Sequence, residues 1–386
     1  MAIEKINIEK FLELAKDHHP VIDVRSPGEY KHAHIPGAYN LPLFTDDERK
    51  IVGTAYKQES REAAIKIGLD FFGPKMKKMV EEVESLVDSQ KSEVINSNND
   101  NSSRLLTHDS RLILIYCWRG GMRSAGVAWL MDLYGFKVYT LIGGYKKFRN
   151  HVLDTFKLPF QFKILGGYTG SGKTEVLKVL KEKNELVVDL EDIAKHKGSA
   201  FGNIGLPEQP SQEMFENLLA TKLIEIGSWK SEIKNENLIS DFRFQTSCIW
   251  LEDESQRIGL VNIPNDVWDT MRQSPVYFLD IPFEERLKHL IKQYGDLDKQ
   301  KMIDAIGRIR ERLGGLNAKN AVRFLEEGNI AESFRILLKY YDKYYLKALH
   351  NRENINSLLE RVECDSVTIE NANKLVRQFQ YQNESP

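Results

Sequence analysis

One stretch of this chain constrains its fold more than any other. Residues 167–174, Gly-Tyr-Thr-Gly-Ser-Gly-Lys-Thr, fit the spacing Gly-x-x-x-x-Gly-Lys-[Ser/Thr] and lie between a predicted strand at 162–165 and a helical pattern. A glycine-rich loop in that setting is a diphosphate cradle. Its backbone N–H groups turn toward an anion at a helix N-terminus, where the dipole adds positive potential. Gly167, Thr169, Gly170, Ser171, Gly172 and Lys173 are expected to surround the diphosphate, and the Thr174 hydroxyl suits Mg²⁺. Glu252 and Asp253 offer an acidic strand end for a metal or its water shell, with Asp189 as a competitor. No Asn-Lys-x-Asp guanine-reading pattern occurs, which disfavours GTP.

A second loop carries different chemistry. The apolar run 112–116 leads into Cys117-Trp118-Arg119-Gly120-Gly121-Met122-Arg123-Ser124, followed by a helix predicted over 124–134. Gly120 and Gly121 let the loop curl with its N–H groups inward, and two guanidinium groups plus the helix dipole should depress the thiol pKa. Cys117, Arg119 and Arg123 are therefore the catalytic candidates, with Trp118, Gly120, Gly121 and Met122 lining an anion-binding loop. A cysteine after Leu-Ile-Leu-Ile-Tyr could equally be a buried strand residue; the arginine pair around two glycines outweighs that reading. The spacing serves both cysteine-dependent phosphatases and sulfur carriers, so the loop alone leaves both open.

The two loops sit too far apart for one small domain. With 386 residues, two α/β domains are expected, at 1–150 and 151–386. Within the first, helical spacing marks an insertion at about 46–88, and the Ser/Asn/Asp-rich run at about 89–110 reads as a flexible loop. In the second, strands are expected at 162–165, 186–190, 248–251 and 276–279 as a parallel sheet, and the tail beyond 282 as mostly helical. Three unevenly spaced cysteines suit neither a disulfide framework nor a paired zinc site, so a reducing, cytoplasmic setting is expected. Neither a signal peptide nor a membrane anchor is expected.

The segment upstream of the cysteine narrows the choice. Asp23-Val24-Arg25, Glu29-Tyr30 and His34-Ile35-Pro36-Gly37-Ala38-Tyr39-Asn40-Leu41-Pro42 resemble the rhodanese pattern, in which the active cysteine carries sulfur or selenium; Asp23 and His34 there mostly shape the fold. A rhodanese-like domain ahead of a P-loop domain resembles the tRNA 2-selenouridine synthase family. Residues 53–58, the cysteine loop, Gly-Gly-Tyr-Thr-Gly-Ser-Gly-Lys-Thr-Glu, 189–202, 251–259 and 312–315 carry that resemblance over nearly the whole chain. It implies a two-stage reaction on wobble 2-thiouridine of tRNA. Geranyl diphosphate first alkylates the sulfur, and selenium from selenophosphate then replaces the S-geranyl group. No tightly bound cofactor is implied, Mg²⁺ is a candidate at the P-loop, and a selenophosphate supplier is a candidate partner.

Charge sets how tRNA could be held. Lys+Arg number 54 against 56 Asp+Glu, a net charge of −2, so any grip must come from local patches. The candidates are a basic connector, Lys146, Lys147 and Arg149; a face of Arg308, Arg310 and Arg312; the run 195–197; and the tyrosine-interleaved segment 339–352. Solvated helix faces would read the same. A P-loop is more often a nucleotide site, so the alternative is an ATP-dependent kinase or NTPase fused to a rhodanese sulfurtransferase.

Overall fold

Five residues with no polar side chain to satisfy except one phenol, Leu112–Tyr116, are buried throughout, as the middle strand of a parallel sheet must be. In a computed structural model of the chain, which describes residues 3–97, 111–228, 248–295 and 297–383, this segment is β4 of a five-stranded sheet. Its companions are β1 (Glu4–Ile6), β2 (Val21–Asp23), β3 (Tyr39–Asn40) and β5 (Lys137–Leu141). They are ordered β1-β5-β4-β2-β3 and paired parallel, with Val21 opposite Leu114 and Ile113 opposite Val138. One compact unit, Met1–Asp154, contains this sheet.

The inserted helices are part of the core of that unit. Asp46–Gln58, Arg61–Phe72 and Met76–Ser97 follow one another, and Met79, Val80 and Val83 pack with Ile113, Ile115, Val127 and Met131. The last of these helices corrects one expectation: residues 89–97 are helical, not loop. Val94 falls two turns after Val87 and no Gly or Pro intervenes, so the apolar period continues beneath the polar composition. The remainder of the expected loop, 98–110, lies outside the described residues.

The expected connector at 146–149 is also corrected. It is the first half of a helix, Gly144–Thr155, whose Tyr145, Phe148 and Val152 recur at three- and four-residue spacing and are all buried. Lys146 and Lys147 occupy the exposed side of that helix.

The second unit, Thr155–Pro386, holds a four-stranded parallel sheet. β6 (Gln161–Gly167), β7 (Cys248–Glu252), β10 (Val276–Asp280) and β11 (Leu359–Glu363) run in the order β11-β10-β6-β7. A short antiparallel pair, β8 (Arg257–Ile258) and β9 (Val261–Asn262), follows β7. The strand expected at 186–190 is reduced to a single bridge, Val187 to Trp250. Asp189 accepts a hydrogen bond from the Asp192 N–H (2.8 Å) and so caps a helix, Leu190–Ala194, that ends the extended run. β11 breaks the expectation of a mostly helical tail. It is an edge strand carrying Glu360, Arg361 and Glu363, and only Val362 among its side chains is buried.

The helical region beyond β10 forms its own apolar cluster around Leu287, Ile306, Leu325, Phe334, Leu337 and Leu338. Arg308, Arg310 and Arg312 are all exposed. They are divided between two helices, Lys299–Arg308 and Arg310–Leu313, with Ile309, 9 % exposed, between them.

Candidate active sites

In the first unit, Cys117 directly follows β4, and the next helix, Met122–Tyr134, begins five residues after the cysteine. The thiol is 2 % exposed and its Sγ lies 3.2 Å from the Ser124 Oγ, which donates to the Gly121 carbonyl at 3.0 Å. No hydrogen bond to a described residue occupies the N–H groups of residues 119–123, which leaves them for an anion at the helix N-terminus. The loop's carbonyls are taken from the other side. The N–H groups of Tyr145 and Lys146 donate to the oxygens of Cys117 (2.8 Å) and Trp118 (3.0 Å). Gly144 makes this approach feasible: its φ is +58°, and a Cβ there would sit 2.2 Å from the Cys117 oxygen.

The two candidate arginines divide. Arg123 donates to Glu29 Oε2 at 2.9 Å, and Arg49 meets the same oxygen at 2.9 Å. Burial works to raise the Glu29 carboxyl, but Arg123, the Ser26 N–H and Arg49 together hold it below the usual range. Arg123 therefore braces the loop against the helix Pro27–His32, while Arg119 is exposed with no ion-pair partner among the described residues. Trp118 and Met122 are exposed at the loop's rim. Asp23 lies beneath, fully buried, gripping Arg25 with hydrogen bonds of 2.6–3.0 Å and accepting the Tyr116 hydroxyl at 2.8 Å. The Arg25 guanidinium stacks 3.9 Å over Tyr145, so this network fixes the strand end that carries the cysteine.

In the second unit, β6 runs out at Gly167 and the helix Lys173–Glu182 starts six residues later. The turn between them is tight. Gly172 has φ +75°, and a Cβ there would meet the Val367 side chain at 2.5 Å. Lys173 Nζ donates back to the Gly167 oxygen at 3.2 Å, poised over the loop. Arg286 clasps the loop from outside: it donates to the Thr169 oxygen (3.1 Å), pairs with both oxygens of Asp342 (2.9 and 2.8 Å) and stacks 4.6 Å over Tyr168. The Ser171 Oγ is buried with no hydrogen-bond partner among the described residues. Gly170 and Thr174 complete the loop and line the cavity it opens into.

The acidic candidates separate as sharply as the arginines do. Asp253 is committed to Arg352 and to the Tyr345 hydroxyl (2.6 Å), and that hydroxyl accepts the Gly167 N–H at 3.1 Å. Asp189 is the helix cap already described. Glu252 instead joins Glu191 and Glu254, with carboxylate oxygens within 4.8 Å of one another. Burial, then Glu252 and Glu254, pushes the Glu191 carboxyl up to about 11; burial and neighbouring carboxylates also raise Glu252. Burial raises Glu254 in the same way, and Lys173 is the cation that opposes all three shifts. Glu191 and Glu254 were not among the sequence candidates. Both lie in the segments 189–202 and 251–259 that carry the family resemblance, one and two residues from candidates that were singled out.

A cavity of about 620 Å³ opens from this loop. Its lining is polar at Gly170 to Thr174 and the three glutamates, and apolar or aromatic at Phe334, Leu337, Leu338, Tyr341 and Tyr345 of the helix Ile330–His350, with Phe201 and Tyr294 packed on Phe334.

A cysteine loop at the end of a parallel strand in one unit, and a glycine-rich strand-to-helix loop beside buried carboxylates in the next, fit a rhodanese-type domain followed by a P-loop-type α/β domain. Residues 7–151 match the model of the rhodanese-like domain, and residues 160–362 match that of the tRNA 2-selenouridine synthase AAA domain. The tRNA 2-selenouridine synthase of Bdellovibrio bacteriovorus is 31% identical over 91% of this chain and 94% of its own. That of Pseudomonas fluorescens is 30% identical over 88% and 91%. This chain belongs to the tRNA 2-selenouridine synthase family. The crystallised N-terminal domain of a Clostridium difficile 630 protein described as ATP/GTP binding is 37% identical, over 39% of this chain and 99% of that one, with a TM-score of 0.32. No helix among the described residues is long and apolar enough to cross a membrane.

Proposed function

We propose that the protein converts 2-thiouridine at the tRNA wobble position to 2-selenouridine in two stages. The P-loop unit transfers a geranyl group from geranyl diphosphate to the 2-thio sulfur, releasing diphosphate; the cysteine loop then holds selenophosphate, whose selenium displaces geranyl thiol, and hydrolysis releases phosphate. The observation that carries the first stage is a cavity lined both by the polar loop and by apolar side chains. A prenyl diphosphate is polar at one end and apolar along its length, and the lining supplies both kinds of residue. The loop N–H groups and Lys173 bind the leaving diphosphate, while the aromatic and leucine wall excludes water from the carbon being transferred. In the second stage the free N–H groups of the cysteine loop hold the selenium-bearing anion against Cys117.

Mg²⁺ fits the carboxylate group. Glu252, Glu191 and Glu254 offer only oxygen ligands, and as buried neighbours they resist ionisation unless a cation joins them. Bound there, Mg²⁺ would supply positive charge to the departing diphosphate.

The sign of the pH dependence follows from the raised carboxyls. Unfolded, each glutamate titrates near 4.3; folded, Glu191 keeps its proton up to about 11. Between those values the folded protein holds protons that the unfolded chain has released, so these groups make stability fall as pH rises. Scanning calorimetry should show Mg²⁺ raising Tm more at pH 9 than at pH 6. Glu252→Gln should flatten the pH profile without Mg²⁺, with Tm at pH 9 higher by about 2–4 °C per kcal/mol recovered. An identical profile in the variant would remove the glutamates from this role.

Nucleoside mass spectrometry of thiolated tRNA, incubated with the protein, geranyl diphosphate and selenophosphate, tests the whole reading. S-geranyl-2-thiouridine should appear first and 2-selenouridine afterwards. ATP turnover at about 10 s⁻¹, with no geranylated product, would assign the loop to a nucleotide instead.

A further inference from the structure

Beyond Lys173, the cavity is lined by three further cations, Lys197, Arg272 and Arg312. None forms a salt bridge among the described residues. Lys197 Nζ is 5.2 Å from the Tyr294 centroid, the Arg272 guanidinium is 5.6 Å from Trp268 and feels Asp253, and Arg312 is hydrogen-bonded to the Tyr340 hydroxyl. Arg272 is also anchored, donating to the Ala348 oxygen at 3.3 Å.

Exposure sorts the lining into depth and rim. Leu337, Leu338 and Leu349 are each 3 % exposed or less, whereas Tyr344 is 45 % exposed, Arg312 is exposed, and Trp268 and Arg272 are half-buried. Tyr344 packs on Tyr340 with ring centroids 4.7 Å apart, which holds its ring in place at the rim. Cations balanced by carboxylates would form a neutral, solvated edge. Cations without a salt bridge, placed among aromatic side chains, keep charge available beside flat π surfaces, which is the chemistry that grips single-stranded nucleic acid.

We propose that the wobble nucleotide is splayed out of the anticodon loop and enters the cavity across the rim formed by Trp268, Arg272, Arg312 and Tyr344. Its base stacks on an aromatic ring, and the two arginines hold the phosphates on either side. The inference rests on the transfer reading above, because the thiocarbonyl sulfur must reach the carbon esterified to the diphosphate. It also separates the arginines that the sequence grouped: Arg312 lines the cavity rim, whereas Arg308, which donates to the Ala200 oxygen at 2.8 Å, does not line the cavity.

The test uses the full-length protein and two separate titrations. One follows a fluorescein-labelled anticodon stem-loop carrying 2-thiouridine by anisotropy; the other follows geranyl diphosphate by calorimetry. Trp268→Leu and Tyr344→Leu should each weaken stem-loop binding by about 5- to 150-fold, and Tyr344→Phe, which keeps the ring, should bind as wild type. Replacing both Arg272 and Arg312 by Gln should lower the log–log salt slope by about 0.7 per lost phosphate contact. Geranyl diphosphate affinity should stay at the wild-type value throughout. Unchanged stem-loop affinity and salt slope would overturn the proposal. So would an equal loss of geranyl diphosphate affinity in the arginine pair, which would give the rim to the diphosphate. If the wild-type protein fails to bind geranyl diphosphate, it is the transfer reading that falls, and the stem-loop titrations still decide this inference.

Discussion

Cys117→Ser will abolish 2-selenouridine formation while S-geranylated tRNA accumulates. The substitution exchanges one small buried group for another, in a pocket where Ser124 Oγ lies 3.2 Å from the sulfur and a hydroxyl can hydrogen-bond in its place. Folding should therefore survive, which circular dichroism and an unchanged Tm will show. What is lost is chemical: an aliphatic hydroxyl does not ionise near neutral pH and cannot replace a thiolate beside the reacting selenium. Loss of the ionisable group lowers rate by about 10³-fold or more, measured as selenouridine per tRNA by nucleoside mass spectrometry. Geranylation, assigned to the other unit, should proceed at the wild-type rate. Selenouridine formed by the serine variant at an undiminished rate would remove the cysteine from the reaction.

How much of this was legible in the sequence depends on whether a residue's role is local. The strand 112–116 and the two loops that follow strands were readable, because an unbroken apolar run and a glycine-rich turn determine their own conformation. β11 was not. Leu-Glu-Arg-Val-Glu owes its extended form to pairing with β10, more than 75 residues away in sequence, and an edge strand needs only one buried face. Similarly, the strand expected at 186–190 failed at Asp189, where a local side-chain cap outcompeted a ladder that only Trp250 could offer.

The site residues divide by the same logic. Cys117 and Lys173 are placed by the turns that contain them. Which acids would gather was invisible, because Glu191 and Glu252 come from elements 61 residues apart, and the sheet order alone brings β7 beside β6. Asp253 looked equivalent to its neighbour Glu252 in the sequence, yet adjacent residues at a strand end point to opposite faces. One joins the carboxylates; the other is locked to Arg352 and Tyr345 and supports the Gly167 N–H from behind. Arg123 is tied to a distant residue in the same way: its guanidinium donates to Glu29, 94 residues upstream, a contact that its spacing from Cys117 does not reveal.

Lys173→Ala should have the other large effect, and through two routes that can be separated. Lys173 lies where the diphosphate is expected, with Nζ held at the Gly167 oxygen until a ligand draws it away. It is also the cation that opposes proton uptake by Glu191, Glu252 and Glu254. Removing it takes away a charge-assisted contact to phosphate, worth about 1.5–3 kcal/mol, and leaves three buried carboxyls with less reason to ionise. Geranyl diphosphate affinity should fall by about 10- to 150-fold, and geranylation should fall further, because the carboxylates would hold Mg²⁺ more weakly. High Mg²⁺ at pH 9 should recover part of the rate through the second route and none of the lost phosphate contact. Lys173→Arg restores the charge but not the compact ammonium, so it should recover Mg²⁺ binding better than turnover. In both variants, tRNA already carrying the S-geranyl group should accept selenium as in the wild type, since Cys117 belongs to the other unit. Normal geranylation by the alanine variant would place the diphosphate away from this loop. A parallel loss of selenation on pre-geranylated tRNA would instead mean that the second stage also depends on the P-loop.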